Sequence, residues 1–525
     1  MPPSIALRSA RVPAVAVAPA LGRLRRIPLA MVAAAAAVLA LLAVCLPINH
    51  DEAQYVAPAV MAARLRPYID FAYLQTPLQL YLTAPLAGLA QGWSFLALRL
   101  ANAAMGAGVL ALIYAAQRRL GAPRDRALLA AGLLLVAYPF EFAAAAARND
   151  ALPALLLAGA MLAGLAALEK QRRTWRLWSL AGLLLGAATS AKVSYVLPLG
   201  FVGLFLLWRT WRAGERLSSP IGFGLGGLLG MTPAGIAFLS APGAFVWSVF
   251  TYAEDGATYW YRLIGEGSRL ALANRVLEGA FHLAVGPALA VLIGVVLITF
   301  GKARERASPQ VRYLQVLALA GLAAAFAPSP MQRQYVLPML PPLFVLWGAT
   351  DPLARAGPLA RRILLALLAL GVAVGLGRIG YVLGDAGLWL LKGRAPPALA
   401  LSQDAHWIGA SMRAAGRQGP IVTPSPHAVA DSGEAIDARF ASGGFPYRSG
   451  DLLTDAEQRR LHLASPRTLA RFLDEAPPAA IVTGFEPLAG RSHRNIDDDF
   501  RAYARARGYR RLVGPDGQVE LWIRA

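Results

Sequence analysis

Cysteine is almost missing: Cys45 stands alone in 525 residues. No disulfide framework can therefore hold this chain together. A lone cysteine inside an apolar run is read as a small core residue rather than a redox site. Charge is scarce as well, at 15% of residues where soluble proteins carry roughly a quarter. Lysine is scarcer still, with Lys170, Lys192, Lys302 and Lys392 the only lysines among 51 basic residues. No Walker loop, dinucleotide fingerprint, cluster of metal-ligand cysteines or internal repeat is visible, so neither a P-loop nor a Rossmann phosphate site is expected. The net charge of +21 could suggest nucleic acid, but its placement argues otherwise. Past residue 394 the chain carries 16 Arg against 15 Asp and Glu. Nearly all the excess lies earlier, in short loops between apolar runs. That is the pattern of cytoplasmic loops in membrane proteins, and no nucleic-acid partner is expected.

What is present is apolar sequence, 57% of residues. Runs of about 18 or more such residues are long enough to cross a bilayer as helices. Eleven segments qualify: roughly 27–46, 94–116, 127–145, 151–168, 177–191, 193–208, 220–240, 280–300, 312–327, 335–350 and 363–384. Assigning the loops alternately to two sides gives one set with 23 basic residues, from Arg8, Arg11, Arg23, Arg25 and Arg26 through Lys170, Arg172, Arg173, Lys302, Arg304 and Arg306 to Arg362. The other set has eight. The bias places the N-terminus in the cytoplasm, and an odd number of spans places the C-terminal region outside. The expected fold is a polytopic α-helical membrane protein of about eleven transmembrane helices, with thirteen as the other count. A cytoplasmic tail (1–26) precedes a membrane domain (27–391) whose first outer loop is 47–93. Glycines such as Gly222, Gly224, Gly226 and Gly227 suit close helix packing.

Beyond Leu391 the composition changes, and residues 392–525 read as a small α/β domain on the outer, periplasmic side. Helices are expected over 402–417, from a Ser465 cap to about 475, and near 497–507. Strands are expected at 421–423 and 480–483. A hairpin pairs 509–513 with 518–523 across Pro515-Asp516-Gly517.

The stretch from Asn49 to Leu82 holds most of the candidate chemistry. Asp51 and Glu52 sit where the first span ends, and the loop that follows is aromatic and partly apolar, suited to interfacial helices. A second acid, Asp150, follows Arg148 at the mouth of a later span. Acids at helix exits can be merely solvated, and Arg148 with Asp150 can be a plain ion pair or a cap. Lys192 lies between two apolar runs, and a cation at that depth calls for an anionic partner. Arg333 begins another span, where it could equally be an interfacial anchor. His50 could bind a metal or tune Asp51, although a lone histidine is more often a bystander. A carboxylate and several cations on the outer face suit transfer of a sugar from a polyprenyl-phosphate carrier. The leaving group is then a lipid phosphate, which needs positive charge more than it needs a proton. One carboxylate suffices as the base for the acceptor. Direct displacement inverts the anomeric centre.

The order Asp51-Glu52, Tyr55, Arg66-Pro67-Tyr68-Ile69-Asp70-Phe71, Gln75-Thr76-Pro77-Leu78, Tyr81 and Arg148-Asn149-Asp150-Ala151 resembles the GT-C superfamily of polyprenyl-phosphate-dependent glycosyltransferases. Within it, the chain is similar to bacterial relatives of the protein O-mannosyltransferases and the lipid A aminoarabinose transferase. The likeness spans about 27–350. It implies a GT-C fold, a first outer loop of juxtamembrane helices and a periplasmic C-terminal domain. It also implies that Asp51 is the essential carboxylate, with Asp150 the second acidic position and Glu52 completing the pair. Where the family often has Lys-Pro-Pro, this chain has Gln75-Thr76-Pro77. The lysine that helps hold the donor phosphate is missing there, which moves that role to Lys192, with Arg148 and Arg333 behind it. Tyr55, Gln75 and Tyr81 complete the expected substrate contacts.

The expected function is a hexosyl- or pentosyltransferase of the cytoplasmic membrane with its site facing outward. Its partners are the lipid-linked donor, membrane lipids and an acceptor glycan, lipid or protein. No cofactor is required by this chemistry, and a divalent metal is compatible with it but not indicated. A transporter of lipid-linked sugars would share the basic cavity but should show internal repeats or matched broken helices. A non-catalytic scaffold would place all function in residues 395–525.

Overall fold

The computed structural model describes residues 28–169, 174–214, 216–300, 308–488, 490 and 494–525. Among these, helices run almost without interruption from Leu29 to Leu391, and a four-stranded sheet follows. Each of the eleven apolar segments falls on a helix or a bent pair of helices. Among the described residues four helices are individually long and apolar enough to cross a membrane, and up to eight spans result if each bent pair counts as one. The expected segments 177–191, 312–327 and 335–350 fall on helices outside this set. The bent pairs include a 71° bend between Arg124–Leu135 and Tyr138–Ala145 and a 104° bend between Leu272–Ala284 and Ala288–Phe300. Pro139 opens the second helix of the first pair, as suits a residue with no N–H to satisfy. Of the basic residues used for orientation, Arg8, Arg11, Arg23, Arg25, Arg26, Lys170, Arg172, Arg173, Lys302, Arg304 and Arg306 lie outside the described residues.

Close packing fixes one part of the bundle with particular precision. The helix Thr174–Ala191 lies against Ser218–Gly230 at backbone contact. A methyl group at Gly182 would stand 2.0 Å from the carbonyl oxygen of Phe223, and one at Gly186 2.1 Å from that of Gly227. Gly226 and Gly230 meet the opposite backbone in the same way, whereas Gly224 faces open space. Small residues four apart on both helices let the backbones approach this closely, where dispersion contacts can accumulate. Lys192 follows directly on the first of these helices, so the glycine seam sets where its ammonium lies.

The loop 47–93, expected on the outer side, is a short 3₁₀ turn, His50–Glu52, followed by helices Ala53–Met61 and Leu78–Leu89. Helices are present where interfacial ones were expected, and Ala53–Met61 is buried on nearly every side. The C-terminal domain explains this: Val56, Ala57 and Ala59 share one apolar cluster with Ala428, Val429 and Ala441. Polar bonds fasten the same contact. The Ser442 hydroxyl donates to the Ala72 carbonyl at 2.7 Å, and the Ser94 amide donates to Asp431 at 2.6 Å.

The domain itself is a sheet in the order β1-β2-β4-β3, with β1 Ile421–Val422, β2 Ala480–Thr483, β3 Arg510–Val513 and β4 Glu520–Ile523. β1 and β2 are parallel; β4 runs antiparallel to both β2 and β3. β2 and β4 are buried throughout. Helix Asp497–Ala506 matches expectation, and Pro397–Ala414 begins five residues earlier than the expected start at 402. The Ser465 cap is a correction. The helix there starts at Leu469, whose amide donates to the Ser465 carbonyl at 2.9 Å, while the Ser465 hydroxyl caps no amide and its N–H donates to the Thr468 hydroxyl at 3.0 Å.

Candidate functional site

The site assembles around the run Ala146–Asp150, which is buried along its whole length although it is not helical. Such backbone needs partners from elsewhere. Asn102 supplies them, its amide donating to the carbonyls of Ala146 at 2.6 Å and Arg148 at 2.7 Å. Glu52 accepts from the Ala147 amide at 2.6 Å. Glu52 also pairs with Arg99 at 2.8 and 2.6 Å, and neither side chain has any exposure. Arg99 in turn donates to the carbonyls of Ala43 and Leu46, which close the first helix. A single buried ion pair thereby joins the first helix, the loop after it and the Arg148 run.

That geometry separates three acids that looked equivalent in the sequence. The Asp51 side chain is 30% exposed, Asp150 1% and Glu52 not at all. Asp51 lines a cavity of about 330 Å³; Glu52 and Asp150 do not. Glu52 is thus a brace, not a group within reach of a substrate. Asp150 lies behind the cavity wall, pairing with Arg148 at 3.1 Å and with Lys192. Arg148 also pairs with Asp51 and donates to Asn49 at 3.1 Å. The result is an alternating chain, Asp51–Arg148–Asp150–Lys192, whose two cations both line the cavity.

The other expected contacts divide. Tyr55, Gln75 and Arg333 line the cavity. The Tyr55 ring lies 5.6 Å from the Arg148 guanidinium, and Arg333 stacks on Phe142 at 3.7 Å and bonds the Tyr138 hydroxyl. Gln75 accepts from Asn149 at 2.9 Å and so holds the Arg148 run. Tyr81 does not reach the cavity and is 40% exposed on the far side of its helix. Tyr335, 5.2 Å from the Lys192 ammonium, and Phe445, Trp260 and Arg448 were not anticipated. Arg99 could have been: an arginine inside an apolar run demands a partner.

Burial alone would raise the Asp51 carboxyl, but Arg148 and then His50 outweigh it and hold the group at about 2. His50 is pushed below its ordinary value, chiefly by burial and then by Arg448. The pair Asp51 and His50 stands 3.8 Å apart. At neutral pH the cavity therefore presents one carboxylate, a neutral imidazole and the cations Arg148, Lys192, Arg333 and Arg448. Among the described residues no group of three or more His, Cys, Asp or Glu is placed to hold a metal ion.

Comparison with known proteins bears on this arrangement. Residues 74–238 match the family described as dolichyl-phosphate-mannose-protein mannosyltransferase. In structure, the chain is similar to ArnT of Cupriavidus metallidurans solved with undecaprenyl phosphate, at 14% identity, over 94% of this chain and 97% of that one, with a TM-score of 0.57. It is also similar to an oligosaccharyltransferase of Archaeoglobus fulgidus tethered to an acceptor peptide. There the identity is 11%, the coverage 95% of this chain and 74% of that one, and the TM-score 0.50. A search by sequence among curated proteins finds no match. At such identities the likeness establishes the fold.

Proposed function

Starting from a chain with the GT-C fold that resembles polyprenyl-phosphate-dependent glycosyltransferases, we propose that this protein transfers a sugar, with inversion, from a polyprenyl-phosphate donor to an acceptor at the outer face of the cytoplasmic membrane. The observation that carries this reading is the ionic chain Asp51–Arg148–Asp150–Lys192 on the wall of one cavity. Asp150 neutralises part of the charge on Arg148 and Lys192 and fixes both in place. Lys192, Arg148 and Arg333 would receive the departing phosphate, whose negative charge grows as its bond to the anomeric carbon breaks. Asp51 would take the proton of the acceptor hydroxyl as that oxygen bonds to the same carbon.

The low value of about 2 at Asp51 bears on the order of events. Paired with Arg148, the carboxylate is ionised but a weak base. A donor phosphate that draws the Arg148 guanidinium toward itself removes the main electrostatic hold on Asp51 and raises its basicity. The base is then strongest only when a donor is bound. ArnT, which shares the fold, holds undecaprenyl phosphate in its crystal structure, which supports a lipid phosphate as the donor group here. The excess of basic residues in one set of loops supports a cytoplasmic N-terminus and an outward-facing site.

Purified protein supplied with an undecaprenyl-phosphate-linked sugar and a cell-envelope acceptor fraction should release undecaprenyl phosphate. Mass spectrometry of envelope glycans and glycoproteins, with and without the gene, identifies what is modified. If no envelope component loses a sugar and no lipid phosphate is released, the proposal fails.

A further inference from the structure

The ionic cavity leaves one neighbouring space without a role. Between the segment Trp247–Gly256, with the helix Ala257–Leu263 that follows it, and the C-terminal domain lies a second cavity of about 730 Å³. Trp247, Tyr252 and Tyr259 line one side of it, and Ser449 and Glu457 come from the domain opposite. Tyr252 and Gly256 line both cavities, so the larger one adjoins the ionic one at that point.

At the junction the C-terminal domain contributes Phe445 and Arg448 to the ionic cavity. The His50 ring lies flat against Phe445, with centroids 4.6 Å apart and 5° between planes. The Arg448 guanidinium stands 4.9 Å from the Trp260 ring and 5.0 Å from that of Phe445. It is anchored by Glu486 at 2.9 Å, and its side chain is only 9% exposed. Two buried polar atoms at this junction have no hydrogen-bond partner, Nε of Arg448 and Nε2 of His50. A buried donor or acceptor left unmet is costly, so the pair marks a place where a ligand with hydroxyl groups would be favoured.

We propose, on the basis of the glycosyltransferase reading, that the larger cavity is the acceptor groove and that its occupant is a carbohydrate chain. Aromatic rings offer flat apolar faces to sugar rings, while Ser449, Glu457 and Asp255 can bond their hydroxyls. The terminal ring reaches the junction, where Arg448 Nε–H donates to one hydroxyl and the neutral His50 accepts from another, beside Asp51. A peptide fits less well. Both walls are helical, made by Trp247–Leu263 on one side and by Gly444–Ser449 and Asp455–Arg460 on the other. They offer no sheet edge for an extended backbone to pair with. An anionic lipid is disfavoured because the two acids Asp255 and Glu457 outnumber the one cation, Arg262, on the lining.

The test uses the full-length protein in lipid nanodiscs, applied to an array of neutral oligosaccharides and of Ser- and Thr-containing peptides. Wild type, Tyr259→Ala, Tyr259→Phe and Arg448→Ala are compared. Wild type is expected to retain an oligosaccharide series and no peptide. Tyr259→Ala and Arg448→Ala should lose about tenfold of that signal, and Tyr259→Phe, which keeps the ring, should retain it. Binding of undecaprenyl phosphate by the same preparations shows that the Tyr259 variants are folded. Retention of no oligosaccharide, equal retention by Tyr259→Ala, or retention of peptides that both alanine variants lose would overturn the proposal. If wild type binds no undecaprenyl phosphate while its oligosaccharide signal still depends on Tyr259, the donor reading fails and the groove stands.

Discussion

Arg148 and Asp51 are 97 positions apart in the sequence and form an ion pair on the wall of one cavity. The same guanidinium bonds Asp150 from its Nε. One arginine thus links the group proposed to take a proton with the groups proposed to take a phosphate.

Asp51→Asn keeps the shape of that carboxyl and removes its charge. Arg148 remains paired with Asp150, so the fold should persist. Turnover in the undecaprenyl phosphate release assay should fall by about a hundredfold or more, the scale of losing a general base. Full turnover in this variant would remove Asp51 from that role.

Lys192→Ala should act on binding instead. A charge-assisted hydrogen bond to an ionised group is worth about 1.5–3 kcal/mol, so affinity for undecaprenyl phosphate should fall by about ten- to a hundredfold. Native mass spectrometry or a lipid-dependent thermal shift measures this directly. An affinity equal to wild type would take the phosphate site away from Lys192.

Glu52→Gln separates two neighbours that look alike in the sequence. It breaks a pair with no solvent exposure on either side and leaves Arg99 buried with an uncompensated charge. Losses of about 3–5 kcal/mol follow when one partner of such a pair is removed. The variant should unfold at a clearly lower temperature than Asp51→Asn, and equal midpoints would contradict the bracing role of Glu52.

The glycine seam gives a contrast within one helix. Gly226→Ala places a methyl 2.0 Å from the carbonyl oxygen of Ser179, while Gly224→Ala meets nothing within 4 Å. The first should cost about 1–3 kcal/mol through overpacking and shift the helix that leads to Lys192. The second should leave thermal stability unchanged or slightly raised.

These contrasts show which parts of the molecule were legible in the sequence. Asp51, Arg148, Lys192 and Arg333 could be named because a charge between apolar runs must be accounted for, and all four meet in one cavity. The strands and the hairpin of the C-terminal domain followed from turn chemistry at Pro515-Asp516-Gly517 and from runs such as Ala480–Thr483. What the sequence does not display is direction. Nothing local says that Asp51 faces a cavity while Glu52 faces Arg99, since the choice depends on Ala147, 95 residues away. Nor does it show that Phe445 packs against His50 or that Arg448 lines the same cavity, because both are placed there by the docking of a whole domain.

His427 provides a readout of that docking. It lies in a short turn of the C-terminal domain, 2% exposed, with its ring 6.3 Å from Phe95 of the membrane domain. Burial lowers its pKa from 6.5 to about 4; Glu52 and Glu486 oppose the shift, and His50 and Arg99 add to it. The unfolded chain therefore binds a proton between these two values that the folded one refuses. The contribution to stability is complete above 6.5 and is lost as pH falls toward 4. Asp497 acts in the opposite sense, since burial raises its pKa from 3.8 to about 6 and stability falls as pH rises between those values. The informative quantity is thus the difference between wild type and His427→Gln. The wild-type midpoint minus that of His427→Gln, both in nanodiscs, should fall as the pH is lowered from 7 to 4.5, because only the wild type gives up this term. A gap that stays constant across that range would show that His427 is not held neutral by the packing of the domain on the first outer loop.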